Sequence, residues 1–119
     1  MFLSHLGTIA ETIVCDYLKT QGYTIIRRNW RKPWGEIDII AERDGGLVFI
    51  EVKAGKSELY MPELHANDKK MRKVLRTAQT YLLSKKCPPE QEWRIDIVSV
   101  IMNDNGEVKD IRQYENIEF

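Results

Sequence analysis

Two carboxylates and one lysine stand inside apolar segments of this chain, at positions that would bring them together. Asp38 lies in the run 35–40, and Glu51 and Lys53 lie in the run 47–53. Both runs are rich in β-branched residues, and the glycine-containing segment 44–46 between them is typical of a β-hairpin turn. A divalent metal and an anionic substrate would account for charges at such positions, because Mg²⁺ is usually held by only one or two carboxylates.

The length of the turn decides which side chains face each other. A two-residue loop at 44–45 places Asp38 opposite Glu51, whereas a two-residue loop at 45–46 or a four-residue loop at 44–47 places it opposite Lys53. In each register the alternation of a pleated strand puts all three charges on one face. The apolar residues divide between the faces: Ile40, Leu47 and Phe49 with the charges, and Ile37, Ile39, Val48, Ile50 and Val52 on the other side.

The three charges together suit the hydrolysis of a phosphodiester. A metal held by Asp38 and Glu51 would lower the pKa of a bound water and neutralise charge on a phosphate oxygen. Lys53 would hold the phosphate or the attacking water as a point charge. The alternative is an exposed cross-strand salt bridge, worth well under ~1 kcal/mol. The surrounding apolar residues weigh against that alternative, but the pattern alone leaves both open.

Length and composition set the limits within which such a site must be built. The 119 residues predict one domain, 1–119, and the formal net charge of zero means that attraction to nucleic acid must come from a local patch. Two cysteines and two histidines are too few and too scattered for a disulfide framework or a zinc site. The N-terminus does not resemble a signal peptide, and no stretch approaches the ~20 apolar residues of a membrane span. We therefore expect a cytoplasmic protein without membrane contact.

Hydrophobic periodicity predicts two helices. Apolar residues recur at helical spacing between Leu6 and Leu18, with Ser4 as N-cap and Gly22 as C-cap. The segment 55–66 has no clear period and is expected to be a loop. Asn67 or Asp68 then caps a second helix. Its predicted buried stripe is Met71, Val74, Leu75, Ala78, Tyr81 and Leu82.

Four strands complete the predicted α-β-β-β-α-β order. They are 23–30, the hairpin from 35 to about 54, and 93–101, which is parallel to the third strand if the second helix is a crossover. The remainder reads as a turn and a short polar tail. The expected fold class is α/β, with a mixed sheet flanked by helices.

Several of these segments resemble known families. Asp38 and the triplet 51–53, separated by twelve residues, resemble the Asp…Glu-x-Lys core of the PD-(D/E)XK nuclease superfamily, and the predicted order fits its restriction-endonuclease-like fold. More closely, segments 35–41, 49–53 and 94–100 resemble signatures of the YraN-like family of small bacterial proteins. The helix with Gly7 and Glu11, the segment 28–31 and the final 115–119 extend the resemblance to nearly the whole chain.

The resemblance implies a metal-dependent, endonuclease-like protein. It would act on nucleic acid, with DNA favoured and branched or recombination intermediates included, and it would use Mg²⁺ or Mn²⁺ held by Asp38 and Glu51. The family usually continues Thr-Arg after its Glu-x-Lys, but this chain has Ala54-Gly55. That departure keeps two alternatives open: an inactive nucleic-acid-binding module and a cytosolic interaction protein. The oligomeric state, including a homodimer, is also left open.

Three further carboxylates are considered as members of the site. Glu11 resembles a first-helix glutamate that joins the metal site in archaeal Holliday-junction resolvases, and we count it among the catalytic candidates. Its alternative is an ordinary solvated glutamate favoured by the helix dipole. For Asp96 we favour a structural pair with an arginine such as Arg94. For Glu36 we also favour a structural role, with Lys53 as a candidate partner.

Two groups of cations are candidates for binding a nucleic-acid backbone. One crowds the start of the second helix and the other precedes the hairpin, and clustered cations with nearby aromatic rings suit phosphates and unstacked bases. A solvated helix face is the usual alternative. Trp30 and Trp93 are expected in the core. The nucleic-acid-binding candidates are Lys69, Lys70, Lys73, Arg31 and Lys32, with Lys69 favoured first.

Overall fold

A computed structural model of the chain describes residues 2–56 and 69–118, with the backbone alone over 2–6. The described elements, in chain order, are α1 (Phe2–Thr20), β1 (Thr24–Lys32), β2 (Gly35–Arg43), β3 (Gly46–Gly55), α2 (Lys69–Ser84), β4 (Trp93–Met102) and β5 (Val108–Tyr114). The five strands form one sheet in the order β1-β2-β3-β4-β5. Strands β3 and β4 are parallel, as predicted for a crossover through α2, and the other pairs are antiparallel. This is the predicted α/β fold, and it is consistent with a restriction-endonuclease-like core.

The two helices pack on opposite faces of the sheet. Ala10, Val14 and Leu18 of α1 join one buried cluster with Ile39 and Ile50. On the other face, a second cluster joins α2 to the sheet through Met71, Val74, Ala78, Tyr81, Ile40 and Phe49. Each fully buried aliphatic or aromatic side chain contributes about 1.5–3 kcal/mol, so both helices are held by their apolar stripes. Within the described ranges, neither helix is long and apolar enough to cross a membrane.

Of the two caps predicted for α1, the N-cap is wrong and the C-cap is correct. The helix begins at Phe2, so Ser4 lies inside its first turn and is not its N-cap. Gly22 does follow its C-terminus with φ +88°, and the Tyr23 amide donates to the Leu18 carbonyl at 3.0 Å. This left-handed ending is the one that glycine accommodates most readily. The predicted cap at Asn67 or Asp68 and most of the predicted 55–66 loop lie outside the described residues.

The hairpin between β2 and β3 closes through a two-residue turn. Asp44 and Gly45 have φ of 53° and 81°, the signs required by a type I′ turn. Arg43 pairs with Gly46, and the register continues to Ile39 opposite Ile50. Of the registers considered from the sequence, this is the one that aligns Asp38 with Glu51.

The predicted alternation of β2 is wrong at Ile37. This residue packs with Trp30 and Ile40 in the α2 cluster, and not on the α1 face with Ile39. Asn29, between Arg28 and Trp30 of the neighbouring strand, has a left-handed φ of 51°. A positive φ interrupts the pleat, and Trp30 with its partner Ile37 turns toward α2 at this point.

The polar tail expected at the C-terminus is instead strand β5. It pairs antiparallel with β4 after a turn in which the Gly106 amide donates to the Asn103 carbonyl at 3.1 Å. Its residues are exposed or half-buried, as is common for an edge strand. One further expectation about the core is wrong, because Trp93 is 37% exposed, whereas Trp30 is 8% exposed as predicted.

Candidate active site

The separation of β2 from β3 positions Asp38. The paired register of these strands ends at Ile39 and Ile50, whereas β3 continues beside β4 as far as Gly55. At the opening, Asp38 Oδ2 accepts a hydrogen bond of 2.8 Å from the Val52 amide. The carboxylate thus takes a donor that a longer β2–β3 pairing would have used, and the side chain is held at the point where the strands diverge.

Glu51 is buried in the middle of β3 without the hydrogen bonds that a buried carboxylate normally has. Its side chain is 1% exposed, and neither oxygen makes a hydrogen bond of acceptable geometry in the described part of the chain. Two ammonium groups are its neighbours: Lys70 Nζ lies 2.7 Å and Lys53 Nζ 3.8 Å from Oε1. Because an unpaired buried charge is strongly destabilising, Glu51 depends on these cations or on another one.

The electrostatics of the pair disfavour two negative charges. Burial of the Asp38 carboxyl, followed by the nearby charge of Glu51, raises the pKa of Asp38 from 3.8 to about 8, while the Val52 amide works in the opposite direction. Burial alone would lower the pKa of Lys70, but its contact with Glu51 and the charge of Asp38 outweigh burial and raise it. The site therefore favours a bound positive charge, whether a proton, an ammonium group or a metal ion.

The donor set fits a hard divalent cation held mainly by waters. Asp38 and Glu51 would supply two carboxylates, which is the usual protein contribution to a Mg²⁺ site. The burial of the Glu51 carboxylate, which has only lysine ammonium groups as described partners, and the raised pKa of Asp38 are both conditions that a cation would relieve. Among the described side chains, those of residues 7–56 and 69–118, no three acidic, histidine or cysteine groups form a ready-made ligand group.

The charges predicted from the hairpin do not share one open face, although Glu51 contacts Lys53 and its charge acts on Asp38. Glu51 and Lys53 contact each other, and Glu51 also meets Lys70 from α2. Asp38 instead lines a cavity of about 280 Å³ on the side of α1. The expectation of a shared face is therefore wrong for Asp38, because the strands separate at this residue and its side chain occupies the gap between the two faces.

Glu11 lies beside this gap. It lines the same cavity as Asp38, and its charge adds to the influences that raise the pKa of Asp38. Its Oε1 is 3.7 Å from Arg28 Nη2, so the carboxylate is also in an ion pair. The structure thus places Glu11 near the carboxylate pair, and its catalytic role remains a prediction.

A second cavity gathers four of the five predicted nucleic-acid-binding residues. It has a volume of about 350 Å³ and is lined by Arg31, Lys32, Lys70 and Lys73 with Trp34. The sequence favoured Lys69, but Lys69 is exposed and does not line the cavity. Lys70 was the residue undervalued by sequence reasoning, although its position one turn before Val74 of the buried stripe was a signal that it borders the sheet.

The two carboxylates assigned structural roles are indeed paired. Asp96 is fully buried and accepts hydrogen bonds from Arg94 Nε at 2.9 Å, Gln113 Nε2 at 2.8 Å and the Asn116 amide at 2.9 Å. Glu36 pairs with Arg31 at 2.8 Å, and not with Lys53. Both carboxylates thus have structural partners, as the sequence predicted.

Comparison with known proteins identifies a family. Residues 10–100 match the family described as "Uncharacterised protein family UPF0102". A UPF0102 protein of Clostridium botulinum strain 657 is 41% identical over 99 residues, covering 82% of this chain and 80% of that protein. Another UPF0102 protein, from Persephonella marina, is 41% identical over 110 residues, covering 92% of this chain and 94% of that protein.

Similarity to solved structures is much weaker. Pyrococcus furiosus SfsA, solved in complex with Ca²⁺, superposes with a TM-score of 0.39 at 16% identity, covering 98% of this chain and 65% of that chain. An XisH family protein from Nostoc punctiforme gives a TM-score of 0.36 at 12% identity, covering 87% of this chain and 98% of that chain. Superpositions this loose support no inference about site or function.

Proposed function

The chain belongs to the UPF0102 family, the YraN-like family that its motifs indicated, and we propose that it is a metal-dependent endonuclease acting on DNA. One observation carries the proposal: Glu51 is buried, and among the described residues its carboxylate is contacted only by the ammonium groups of Lys53 and Lys70, next to an Asp38 whose pKa is raised to about 8. Two adjacent carboxylates that are buried in this way are suited to bind a cation between them. Structural carboxylates of this chain, such as Asp96, are by contrast fully hydrogen bonded.

Each residue of the site has a role in the proposed reaction. Asp38 and Glu51 would hold Mg²⁺ or Mn²⁺, which when bound lowers the pKa of a water and neutralises a phosphate oxygen. Lys53, whose ammonium group lies 3.8 Å from Glu51, would hold the phosphate or orient the water. Glu11 would add a third carboxylate at the edge of the cavity. The cavity lined by Arg31, Lys32, Lys70 and Lys73 would bind the nucleic-acid backbone.

The proposed setting is the cytoplasm, where thiols stay reduced. Cys15 and Cys87 are both free in the structure, and an oxidising compartment would expose unpaired thiols to oxidation. The proposed substrates include branched or recombination intermediates.

Calorimetric titration with Mn²⁺ tests metal binding first. We expect saturable binding by the wild type and a large loss of affinity in Asp38→Asn. A screen of labelled linear, flapped and four-way DNA with Mn²⁺ then tests hydrolysis. Wild-type protein that binds no metal and cleaves none of these substrates would contradict the proposal.

An inactive nucleic-acid-binding module is the second candidate. Ala54 lines the cavity beside Asp38, where the family usually has a hydroxyl side chain, so the site lacks one polar contact. DNA binding that persists without cleavage in every metal would favour this candidate. The interaction-protein alternative is excluded if metal binding is present and is lost in Asp38→Asn.

A further inference from the structure

We propose that the cavity lined by Arg31, Lys32, Lys70 and Lys73, here called the basic cavity, binds a phosphate group of the nucleic acid, and that Lys70 couples it to the metal site. The inference rests on the proposed function, because it assumes a cation at Asp38 and Glu51. It goes further in naming the chemistry of a second site and in predicting that the two sites fill cooperatively.

The charge of the basic cavity fits an anion. Four cationic side chains line it against one carboxylate, Glu36, which is already paired with Arg31 at 2.8 Å. Lys70 and Lys73 belong to the first turns of α2, whose first turn contains no acidic residue. Cations there oppose the helix dipole. A phosphate in the cavity would offset the charge of these lysines and so remove the unfavourable arrangement.

Lys70 is common to both sites. It lines the basic cavity of about 350 Å³ and also the cavity of about 280 Å³ that contains Asp38. Its ammonium group lies 2.7 Å from Glu51, whose oxygens are out of reach of solvent. A metal ion at Oε1 would therefore take the place of the Lys70 ammonium group. The Lys70 side chain is 60% exposed, so it can move without disrupting the core.

Replacement of the Lys70 ammonium group by a metal ion at Glu51, here called the exchange, would link metal binding to phosphate binding. When a metal takes the place of the ammonium group at Glu51, Lys70 becomes free to bind a phosphate in the basic cavity. Metal should then strengthen phosphate binding, and by reciprocity phosphate should strengthen metal binding. In metal-free protein, Lys70 acts as the counter-ion that keeps Glu51 from being an unpaired buried charge.

Lys70→Gln and its matched control Lys73→Gln test the exchange. Both substitutions remove one charge near the start of α2, but Lys73 does not line the cavity that contains Asp38. By calorimetry with Mn²⁺, Lys70→Gln should bind the metal at least about fivefold more tightly, at the lower end of typical coupling. Lys73→Gln should match the wild type, and Lys70→Arg should restore wild-type affinity. Unchanged Mn²⁺ affinity in Lys70→Gln would overturn the exchange.

A thermal measurement covers the case in which Lys70→Gln does not fold without metal. Loss of the nearest cation leaves Glu51 with only the more distant Lys53, 3.8 Å away, so this variant should melt at a lower temperature in EDTA. Mn²⁺ should then raise its melting temperature more than that of Lys73→Gln, because at equal concentration a ligand that binds the native state more tightly stabilises it more. An equal rise in both variants would also overturn the exchange.

Tetranucleotides test the phosphate site directly. Fluorescence anisotropy would compare labelled tetranucleotides with and without a 5′-phosphate, in EDTA and in Ca²⁺, which also takes oxygen ligands. We expect Ca²⁺ to tighten wild-type binding and Lys70→Gln to lose most of this effect. A preference for the phosphorylated form identifies a terminal phosphate as the ligand, whereas equal binding identifies an internal phosphodiester.

The controls separate this inference from the proposed function. If Lys73→Gln binds the tetranucleotides no more weakly than Lys85→Gln, at the far end of α2, the phosphate site is wrong. Wild type that binds Mn²⁺ but no tetranucleotide contradicts only the phosphate site and leaves hydrolysis standing. Wild type that binds tetranucleotides through Lys73 but binds no metal contradicts the proposed hydrolysis and the coupling, and leaves the phosphate site intact.

Discussion

Asp38 is a residue whose ionisation the fold does not favour, and this has a measurable consequence. Its pKa is raised from 3.8 to about 8, so between these values the native state binds more protons than the unfolded state. In metal-free buffer, the free energy of unfolding should therefore fall as pH rises from 5 to 8, by up to ~1.4 kcal/mol per pH unit from this group. Urea unfolding in EDTA would measure the slope, and Asp38→Asn should remove it.

The control for this prediction is Asp110→Asn. Asp110 is a surface carboxylate whose pKa is lowered by its hydrogen bond with Arg112, so it is ionised throughout the window from pH 5 to 8. Its substitution should leave the slope unchanged. Metal affinity should rise with pH in the wild type, since binding must displace the Asp38 proton. A slope that is the same in Asp38→Asn and wild type would show that this carboxyl does not titrate in the window.

Lys53 should matter more for reaction than for binding. Its ammonium group lies 3.8 Å from Glu51, and in the proposed reaction it would stabilise charge that develops on the phosphate. Lys53→Gln should reduce the cleavage rate by about 10²-fold, the scale seen when one stabilising contact to a transition state is removed. DNA affinity, measured by anisotropy in Ca²⁺, should change far less. A parallel loss of affinity and rate would assign Lys53 to ground-state binding alone.

The residues of the hairpin could be predicted from the sequence, but their environment could not. Turn composition predicted the hairpin and left Asp38 opposite either Glu51 or Lys53, because turn residues and strand alternation are short-range rules, and the structure selects the register with Glu51. The contact between Lys70 and Glu51 depends on how α2 crosses the sheet, which no local pattern encodes. The reversal at Ile37 likewise depends on the left-handed φ of Asn29 in the neighbouring strand.

The packing of α2 against the start of β2 depends on Gly35. A Cβ atom at this position would lie 2.7 Å from Thr77 Oγ1 and 3.2 Å from both Cβ and the carbonyl oxygen of Lys73. Helix α2 would have to shift to accommodate it. Gly35→Ala should therefore lower the free energy of unfolding by about 1–3 kcal/mol, the typical cost of overpacking. Chemical denaturation would measure the change.

Gly55→Ala is the matched control for the helix contact. Gly55 also lies at the end of a strand, but a Cβ atom there would meet nothing within 4 Å. Its substitution should leave stability unchanged or slightly raised, since alanine restricts the unfolded chain. Equal destabilisation by both substitutions would mean that the close approach of α2 to Gly35 is not what makes glycine necessary.

Helices and strands could be predicted from the sequence where one buried face gives their apolar residues a regular spacing. Helices α1 and α2 and strands β2, β3 and β4 each bury a stripe or a run of apolar residues, and their order followed from that pattern. Strand β5 was missed because it lies at the sheet edge, where Lys109, Asp110 and Arg112 are tolerated. What defines β5 is its hydrogen bonding to β4 and the contact of Gln113 with Asp96, and both are long-range.

Over the whole molecule, a net charge of zero conceals a local concentration of cations. The 18 basic residues balance 18 acidic ones, yet four basic side chains surround one cavity beside the carboxylate pair. If this surface docks a nucleic-acid backbone, binding should weaken steeply with salt, with a slope of roughly one logarithmic unit per phosphate neutralised. Anisotropy titrations on a duplex or a four-way junction at several salt concentrations would measure the slope.

Replacing Lys69 and Lys73 together with glutamine should reduce that slope while leaving Mn²⁺ affinity unchanged, because these side chains would meet phosphates and not the ion. The matched control replaces Lys85 and Lys86, which follow the other end of the same helix and carry the same charge. Removing them should leave the slope intact. Equal effects of the two pairs would mean that the protein responds only to total charge. No salt-dependent binding by the wild type, even at low ionic strength, would make the zero net charge the better guide, and the fold would then serve a protein partner.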